Sequence, residues 1–291
     1  MNSKTNTDNW IDRDEYPFQS HRLNLEMGTM HYLDEGEGEP VVMVHGNPTW
    51  SFLYRHLINQ LTPACRCMAM DHIGFGLSDK PADWTYLPAA HARNLETLIK
   101  TLELQDITLI VQDWGGPIGL SYAVNYPENV KRLVILNTWM WPVDDDWYYR
   151  AFSRFMGGGV GRFLIRRFNF FARTIMRQAF GDKSQLTKPV HRHYLKPLEN
   201  RDERKGCWMF PDQIIGSTEW LNELWVRRDL LTDKQVLIAW GMKDIAFREK
   251  ELNRWIELFP DAQIHRLEGV GHYVQEEAPE ELGSAVEEFL Y

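Results

Sequence analysis

The 291-residue chain is 44% hydrophobic and 25% charged, the balance of a globular protein that buries a substantial core, as one large domain or one domain carrying an insertion. Its formal charge of -9 repels a phosphate backbone, which argues against nucleic acid as a partner. No apolar run approaches the roughly 20 residues needed to cross a bilayer, so a membrane-spanning role is set aside.

Met1 to Gln19 is polar and lacks the apolar core of a secretory signal, so nothing there marks the chain for export. From His21 to Glu35 apolar and polar residues alternate around Met27-Gly28, which predicts an antiparallel hairpin. Pro40 to Val44 reads as a buried strand running into His45-Gly46-Asn47-Pro48. A loop at the carboxyl edge of such a strand stands where open α/β sheets carry their sites. It can present a backbone N–H, and Asn47 adds a side-chain amide donor.

Cys65 to Met70 is the next short apolar run, followed by Asp71 to Asp79, a loop read as structural. Cys65 and Cys67 share one face of that strand, and with Cys207 they lack the spaced partners of a zinc site. They read as reduced core residues of a cytoplasmic protein. Ile107 to Val111 then runs directly into Gln112-Asp113-Trp114-Gly115-Gly116 and a helix from Ile118 to Tyr126. That is a strand-to-helix elbow with a carboxylate at its tip, held above the sheet and aimed from a helix N-terminus whose partial positive charge favours an anion. Serine is the usual residue at such a tip, and Val111 replaces the first glycine of the serine pattern, so a serine esterase is disfavoured. The Trp114 backbone N–H and that of the Asn47 loop together form a candidate oxyanion hole. The Asn47 amide and Trp114 indole N–H groups suit a large, weakly hydrated anion such as chloride or bromide.

Leu133 to Leu136 is another strand, followed by Asn137-Thr138-Trp139 with no acidic residue. The next strand, Val236 to Trp240, lies far beyond a single crossover, and the interval is rich in Trp, Phe, Arg and Met. An inserted helical cap fits it, giving a main domain in two parts, 1–138 and 229–291, around a cap over 139–228. Arg162 to Phe180 carries Phe163, Leu164, Phe168, Phe171, Ile175 and Met176 among five arginines. A membrane-surface helix would look similar. The preferred reading is cap helices packed on the sheet domain with arginines in solvent and no membrane contact. Asp244 follows the strand ending at Trp240, and His272 follows Ala262 to Leu267 in Gly269-Val-Gly-His272. Chain order makes Asp113 the nucleophile, Asp244 the orienting acid and His272 the base.

The alternation of strands and helices predicts a mostly parallel α/β sheet. The motifs His45-Gly-Asn-Pro, Asp71-His-Ile-Gly-Phe-Gly-Leu-Ser-Asp79, Gln112-Asp-Trp-Gly-Gly, Gly241-Met-Lys-Asp244 and Gly271-His272 extend over most of the sheet domain in one order. In these the chain resembles the haloalkane dehalogenases of the α/β-hydrolase superfamily, in the group with an Asp-His-Asp triad and an Asn/Trp halide pair. The resemblance implies catalysis by Asp113, His272 and Asp244, halide binding by Asn47 and Trp114, and no metal or cofactor. Substrates would be small apolar halogenated alkanes and water, the products alcohol, halide and a proton. The aromatic and arginine-rich cap offers a surface for a homo-oligomer.

Epoxide hydrolases resemble the chain in fold and triad, and Tyr148, Tyr149 and Tyr194 would then protonate the epoxide oxygen. That family generally carries an aromatic residue where Asn47 stands. Fluoroacetate dehalogenases typically have arginines just after the nucleophile, and Trp114 to Leu120 has none. Dehalogenase-related luciferases usually take their acid from the loop of Asn137. A non-catalytic small-molecule receptor on the same fold would tend to lose part of the five-residue constellation. Trp139, Trp141, Phe152, Phe155, Phe168 and Phe171 are the aromatic candidates for roofing the pocket.

Overall fold

The computed structural model describes residues 10–291, so the first nine residues of the polar N-terminal stretch lie outside the described residues. Eight strands form one sheet in the order β1-β2-β4-β3-β5-β6-β7-β8. β1 (His21–Leu25) and β2 (Gly28–Glu35) make the expected hairpin, and β2 joins β4 antiparallel. The remaining pairs, among β3 (Glu39–Val44), β4 (Cys65–Met70), β5 (Ile107–Asp113), β6 (Val130–Thr138), β7 (Gln235–Gly241) and β8 (Gln263–Leu267), are all parallel.

Burial explains the difference in pattern. β3, β5, β6 and β7 are almost continuously buried because helices cover both faces of a parallel sheet, whereas edge strand β1 alternates half-buried and exposed residues. Two apolar clusters lie on the two sides of the sheet. The cysteine thiols Cys65, Cys67 and Cys207 are free and buried.

Around the sheet run α1 (Arg55–Leu61), α2 (Pro88–Thr101) and α3 (Gly115–Asn125). Between β6 and β7 the chain is helical, with α4 (Trp147–Gly157), α5 (Gly159–Phe168), a π-helical turn Phe171–Ile175, α6 (Met176–Ala179), α7 (Lys188–Leu195), α8 (Lys205–Gly216) and α9 (Thr218–Val226). After β7 come α10 (Glu249–Leu258), then β8, α11 (Val274–Glu277) and α12 (Pro279–Leu290). No helix among the described residues is long and apolar enough to cross a membrane.

Because six adjacent strands are parallel, their carboxyl ends share one edge of the sheet. Asp113 and Asn137 stand there at the ends of β5 and β6, and Asn47, Asp244 and His272 in the loops after β3, β7 and β8. The loop after β4 braces this edge. Asp71, fully buried, accepts the Ser51 and Leu77 N–H groups at 2.8 and 2.7 Å, and Asp79 accepts that of Thr29 at 2.8 Å, consistent with a structural loop.

Candidate active site

Asp113 ends β5 with φ 50°, a left-handed conformation that a non-glycine residue adopts at a cost. The turn into α3 is tight: a Cβ at Gly115 would collide with the Val44 carbonyl, so only glycine lets the helix start this close to β3. The result is an elbow that lifts the Asp113 carboxylate off the sheet edge. Gly46 faces it, and a Cβ there would overlap the same carboxylate. The Asn47 backbone N–H donates to Asp113 Oδ1 at 2.7 Å, and the Trp114 N–H also stabilises the charged form. Burial nevertheless dominates and raises the Asp113 pKa above the ordinary carboxylate value, against the pull of His272 and the two N–H groups.

His272 sits opposite, its Nε2 3.7 Å from Asp113 Oδ2 and its Nδ1 2.8 Å from Asp244 Oδ2. The Asp244 side chain is wholly buried and also accepts Ala246 N–H at 2.6 Å and the Asn137 amide at 2.9 Å. Burial pulls the His272 pKa down, but the charge and hydrogen bond of Asp244, helped by Asp113, overcome it, and the net shift is upward. Phe247 stacks on the imidazole with centroids 5.6 Å apart. An imidazole positioned by one carboxylate and facing another has the parts for nucleophilic catalysis followed by general-base hydrolysis.

A cavity opens above Asp113, lined at its floor by Asn47, Trp114 and His272. The five residues singled out by sequence therefore meet at one place. Most of the wall is apolar, from Trp139, Phe152, Phe171, Ile175, Ile214 and Phe247. Ile245, 46% exposed, marks the mouth. Of the aromatic candidates, Trp139, Phe152 and Phe171 line this cavity. Trp141 instead packs on Trp225 and Trp255, and Phe155 and Phe168 face solvent. Tyr148 and Tyr149 also line it, but their hydroxyls donate to the Ile245 and Ala246 carbonyls at 2.7 and 2.9 Å. Tyr194 is buried elsewhere, donating to Glu276.

Two side chains at the site carried no role in the sequence reading. Asn137, at φ 27°, bridges the Gly241 backbone and Asp244, and its place directly after a strand was the available signal. Gln112, fully buried, lies with its Nε2 2.8 Å from His272 Nε2, while its Oε1 has no partner among the described residues. A buried glutamine beside a candidate nucleophile was legible as an oddity, but not its target. Among the described residues no three His, Cys, Asp or Glu side chains are grouped to hold a metal ion.

Comparison with known proteins agrees with this architecture. A model of the α/β hydrolase fold family matches residues 39–279. The chain is 38% identical over 275 residues to haloalkane dehalogenase 2 of Mycobacterium tuberculosis, covering 93% of this chain and 94% of that one. It is also 35% identical over 289 residues to a cis-3-alkyl-4-alkyloxetan-2-one decarboxylase of Shewanella oneidensis, covering 94% and 89%. The crystal structure of haloalkane dehalogenase DbeA from Bradyrhizobium elkani superposes with a TM-score of 0.86 at 25% identity, covering 94% of this chain and 97% of that one. By sequence and by fold, the chain belongs to the α/β-hydrolase family and stands among its haloalkane dehalogenase relatives.

Proposed function

We propose that the protein is a haloalkane dehalogenase in which Asp113 is the nucleophile, His272 the base, Asp244 its orienting acid, and Asn47 and Trp114 the halide donors. The observation that carries this reading is a desolvated carboxylate at the floor of an apolar cavity, facing an imidazole backed by a second carboxylate. Asp113 Oδ2, the oxygen turned toward His272, attacks the halogen-bearing carbon. The C–O bond forms as the carbon–halogen bond breaks, and the halide leaves with the bonding pair toward the Asn47 amide and Trp114 indole. Water then gives a proton to His272 Nε2 and attacks Cγ of the ester. Negative charge develops on Oδ1, which already receives the Asn47 N–H. On collapse the Cγ–O(alkyl) bond breaks, the departing alkoxide takes the proton held by His272 to become the alcohol, and the new Asp113 carboxyl gives its proton to solvent by way of His272, which restores the carboxylate. Esterification removes the Asp113 charge, one of the charges that raise the His272 pKa, so more of the imidazole is neutral when the ester awaits water.

In this reading residues 139–228 are a cap between main-domain parts 1–138 and 229–291, and their aromatic side chains exclude water during attack. Epoxide opening is less well supported, because the two cavity tyrosines spend their hydroxyl protons on backbone carbonyls. A second reading rests on the decarboxylase relatives, two of which match 94% of the chain at 35% identity. The same floor would then engage a 3,4-dialkyl oxetan-2-one and yield an alkene and carbon dioxide, with no halide.

The deciding experiment incubates the protein with 1-bromohexane, with a cis-3,4-dialkyl oxetan-2-one and with styrene oxide, scoring bromide, alkene and diol. Bromide release is expected. A His272→Phe variant should still release about one bromide per protein and retain a hexyl ester on the Asp113 peptide in mass spectrometry. Alkene without bromide would replace this reading with the second one.

A further inference from the structure

Between Trp147 and Phe180 the sequence holds seven arginines and no acidic residue, although the chain as a whole carries -9. All forty-one Asp and Glu residues lie outside this stretch. The arginines are exposed, and so are several apolar side chains among them. Val160 is 62% exposed, Phe163 61%, Phe168 51% and Phe155 50%.

Helical geometry shows why these side chains share a surface. α5 buries Gly161 and Ile165, which leaves Val160, Phe163 and Arg167, at i, i+3 and i+7, on the opposite side. Phe163 and Phe168 rings lie 6.0 Å apart, and the Arg167 guanidinium is 5.2 Å from the Phe168 ring centre. Phe155 joins them from the last turn of α4, which packs against the start of α5. Arg162 and Arg166 make exposed ion pairs with Asp212 and Asp202, at 3.1 and 2.6 Å. Arg154, Arg167, Arg173 and Arg177 have no carboxylate within 4.0 Å among the described residues. The expectation that Phe163 and Phe168 pack inward is therefore corrected, while Phe171 and Met176 are buried as expected.

We propose that α5 and the end of α4 dock the protein on an anionic lipid surface. Phe155, Phe163 and Phe168 enter the boundary between headgroups and acyl chains, and the arginines around them meet lipid phosphates. Charge selects this occupant over a second copy of the chain, because a two-fold contact through this face would set arginine against arginine. It also fixes orientation: Asp202 and Asp212 border the face but are each paired with one of its arginines, so Arg154, Arg167, Arg173 and Arg177 leave it net positive on a chain of net charge -9. α4 also carries Tyr149 and Phe152 into the cavity wall, Phe152 one turn before Phe155, so the docking face adjoins the cavity's roof. An apolar substrate dissolved in lipid would then be concentrated beside the site, whichever bond is cut there.

The test is co-sedimentation with vesicles of phosphatidylglycerol and phosphatidylcholine in equal parts, against vesicles of phosphatidylcholine alone. Binding to the anionic vesicles only, weakening as salt rises, is expected. Phe163→Ser with Phe168→Ser should lower partitioning about tenfold, while the melting temperature and turnover of a water-dissolved substrate stay at the parent values. Arg167→Glu, an exposed change on the same face, should weaken binding independently. Absence of binding to anionic vesicles, or binding that neither variant alters, overturns the proposal. A dimer in lipid-free buffer that Phe163→Ser dissolves would assign the face to self-association instead.

Discussion

The imidazole of His272 contacts Asp244 through Nδ1 and the Gln112 amide through Nε2, both at 2.8 Å. With the Nδ1 proton given to Asp244, Nε2 is an acceptor, and Gln112 Nε2 is placed to donate to it. A hydrogen bond to the neutral imidazole opposes the upward pull of Asp244 and Asp113. In the proposed reaction His272 must be neutral to take a proton from water, so ester hydrolysis should lose rate as pH falls through its pKa. Gln112→Met removes the donor and lets that pKa rise further. The acid limb of kcat should then move to higher pH by about one unit, the equivalent of one ordinary hydrogen bond. The measurement is a pH profile with ester breakdown rate-limiting. A uniform loss of rate with the limb unmoved would reduce Gln112 to packing. The same upward shift has a stability sign. Protonated His272 favours the fold below the ordinary histidine value of 6.5, and that contribution disappears as pH rises through the folded-state value. At this scale the sequence exposed Asp113, Asp244 and His272 through motif and chain order. It gave no target for Gln112 or Asn137, because amide side chains acquire meaning only from what lies across the sheet.

The loop that carries His272 is shaped as much by the inserted helices as by the sheet. His272 N–H donates to the Ala179 carbonyl at 2.9 Å, and a Cβ at Gly271 would strike that same carbonyl. Glu277, in the short helix α11, fastens the contact: one oxygen accepts Gly271 N–H and the other Asp182 N–H, each at 3.0 Å. Burial raises the Glu277 pKa, while those N–H groups and that of Gly181 oppose the rise. Glu277→Gln swaps one acceptor for an N–H donor facing another N–H. Loosening of the histidine loop should lower ester hydrolysis about tenfold, yet leave the first halide burst intact, since in the proposed reaction His272 acts only after attack. Rapid-quench measurement of the burst separates the two steps, and equal loss of both would place Glu277 outside this role. The inserted segment was legible from the length of the interval between β6 and β7 and from its Trp, Phe, Arg and Met content. Which of its aromatics face inward was not, and Trp139 and Trp141, in the stretch leading from β6 to α4, show it by facing the cavity and the Trp225–Trp255 cluster respectively.

Across the whole molecule, Arg55 ties together segments distant in sequence. Its guanidinium, 2% exposed, meets both oxygens of Glu276, one of them at 2.5 Å, and Glu15 at 3.1 Å. Tyr194 of α7 donates to the same Glu276. Glu276→Leu would leave a buried cation without its partner and should lower unfolding free energy by about 3–5 kcal/mol in urea titration. Adding Arg55→Met should recover most of that loss, because the pair's attraction is largely spent on desolvating both ions. Failure of the second substitution to recover stability would mean that Arg55 acts through its other contacts, with Phe52 and Glu15. The sequence by itself determined the strand order along the chain, the hairpin, the elbow at Asp113 and the acid and histidine loops. All of these follow from local periodicity and turn chemistry, which a short stretch of residues specifies alone. Only the tertiary structure decided which aromatics line the cavity, which amides reach His272 and Asp244, and that Phe163 and Phe168 face solvent beside arginines. The physical reason is that a residue's environment is set by partners a hundred or more positions away, and an apolar side chain in a helix carries the same local pattern whether it meets a core, a cavity or a lipid surface.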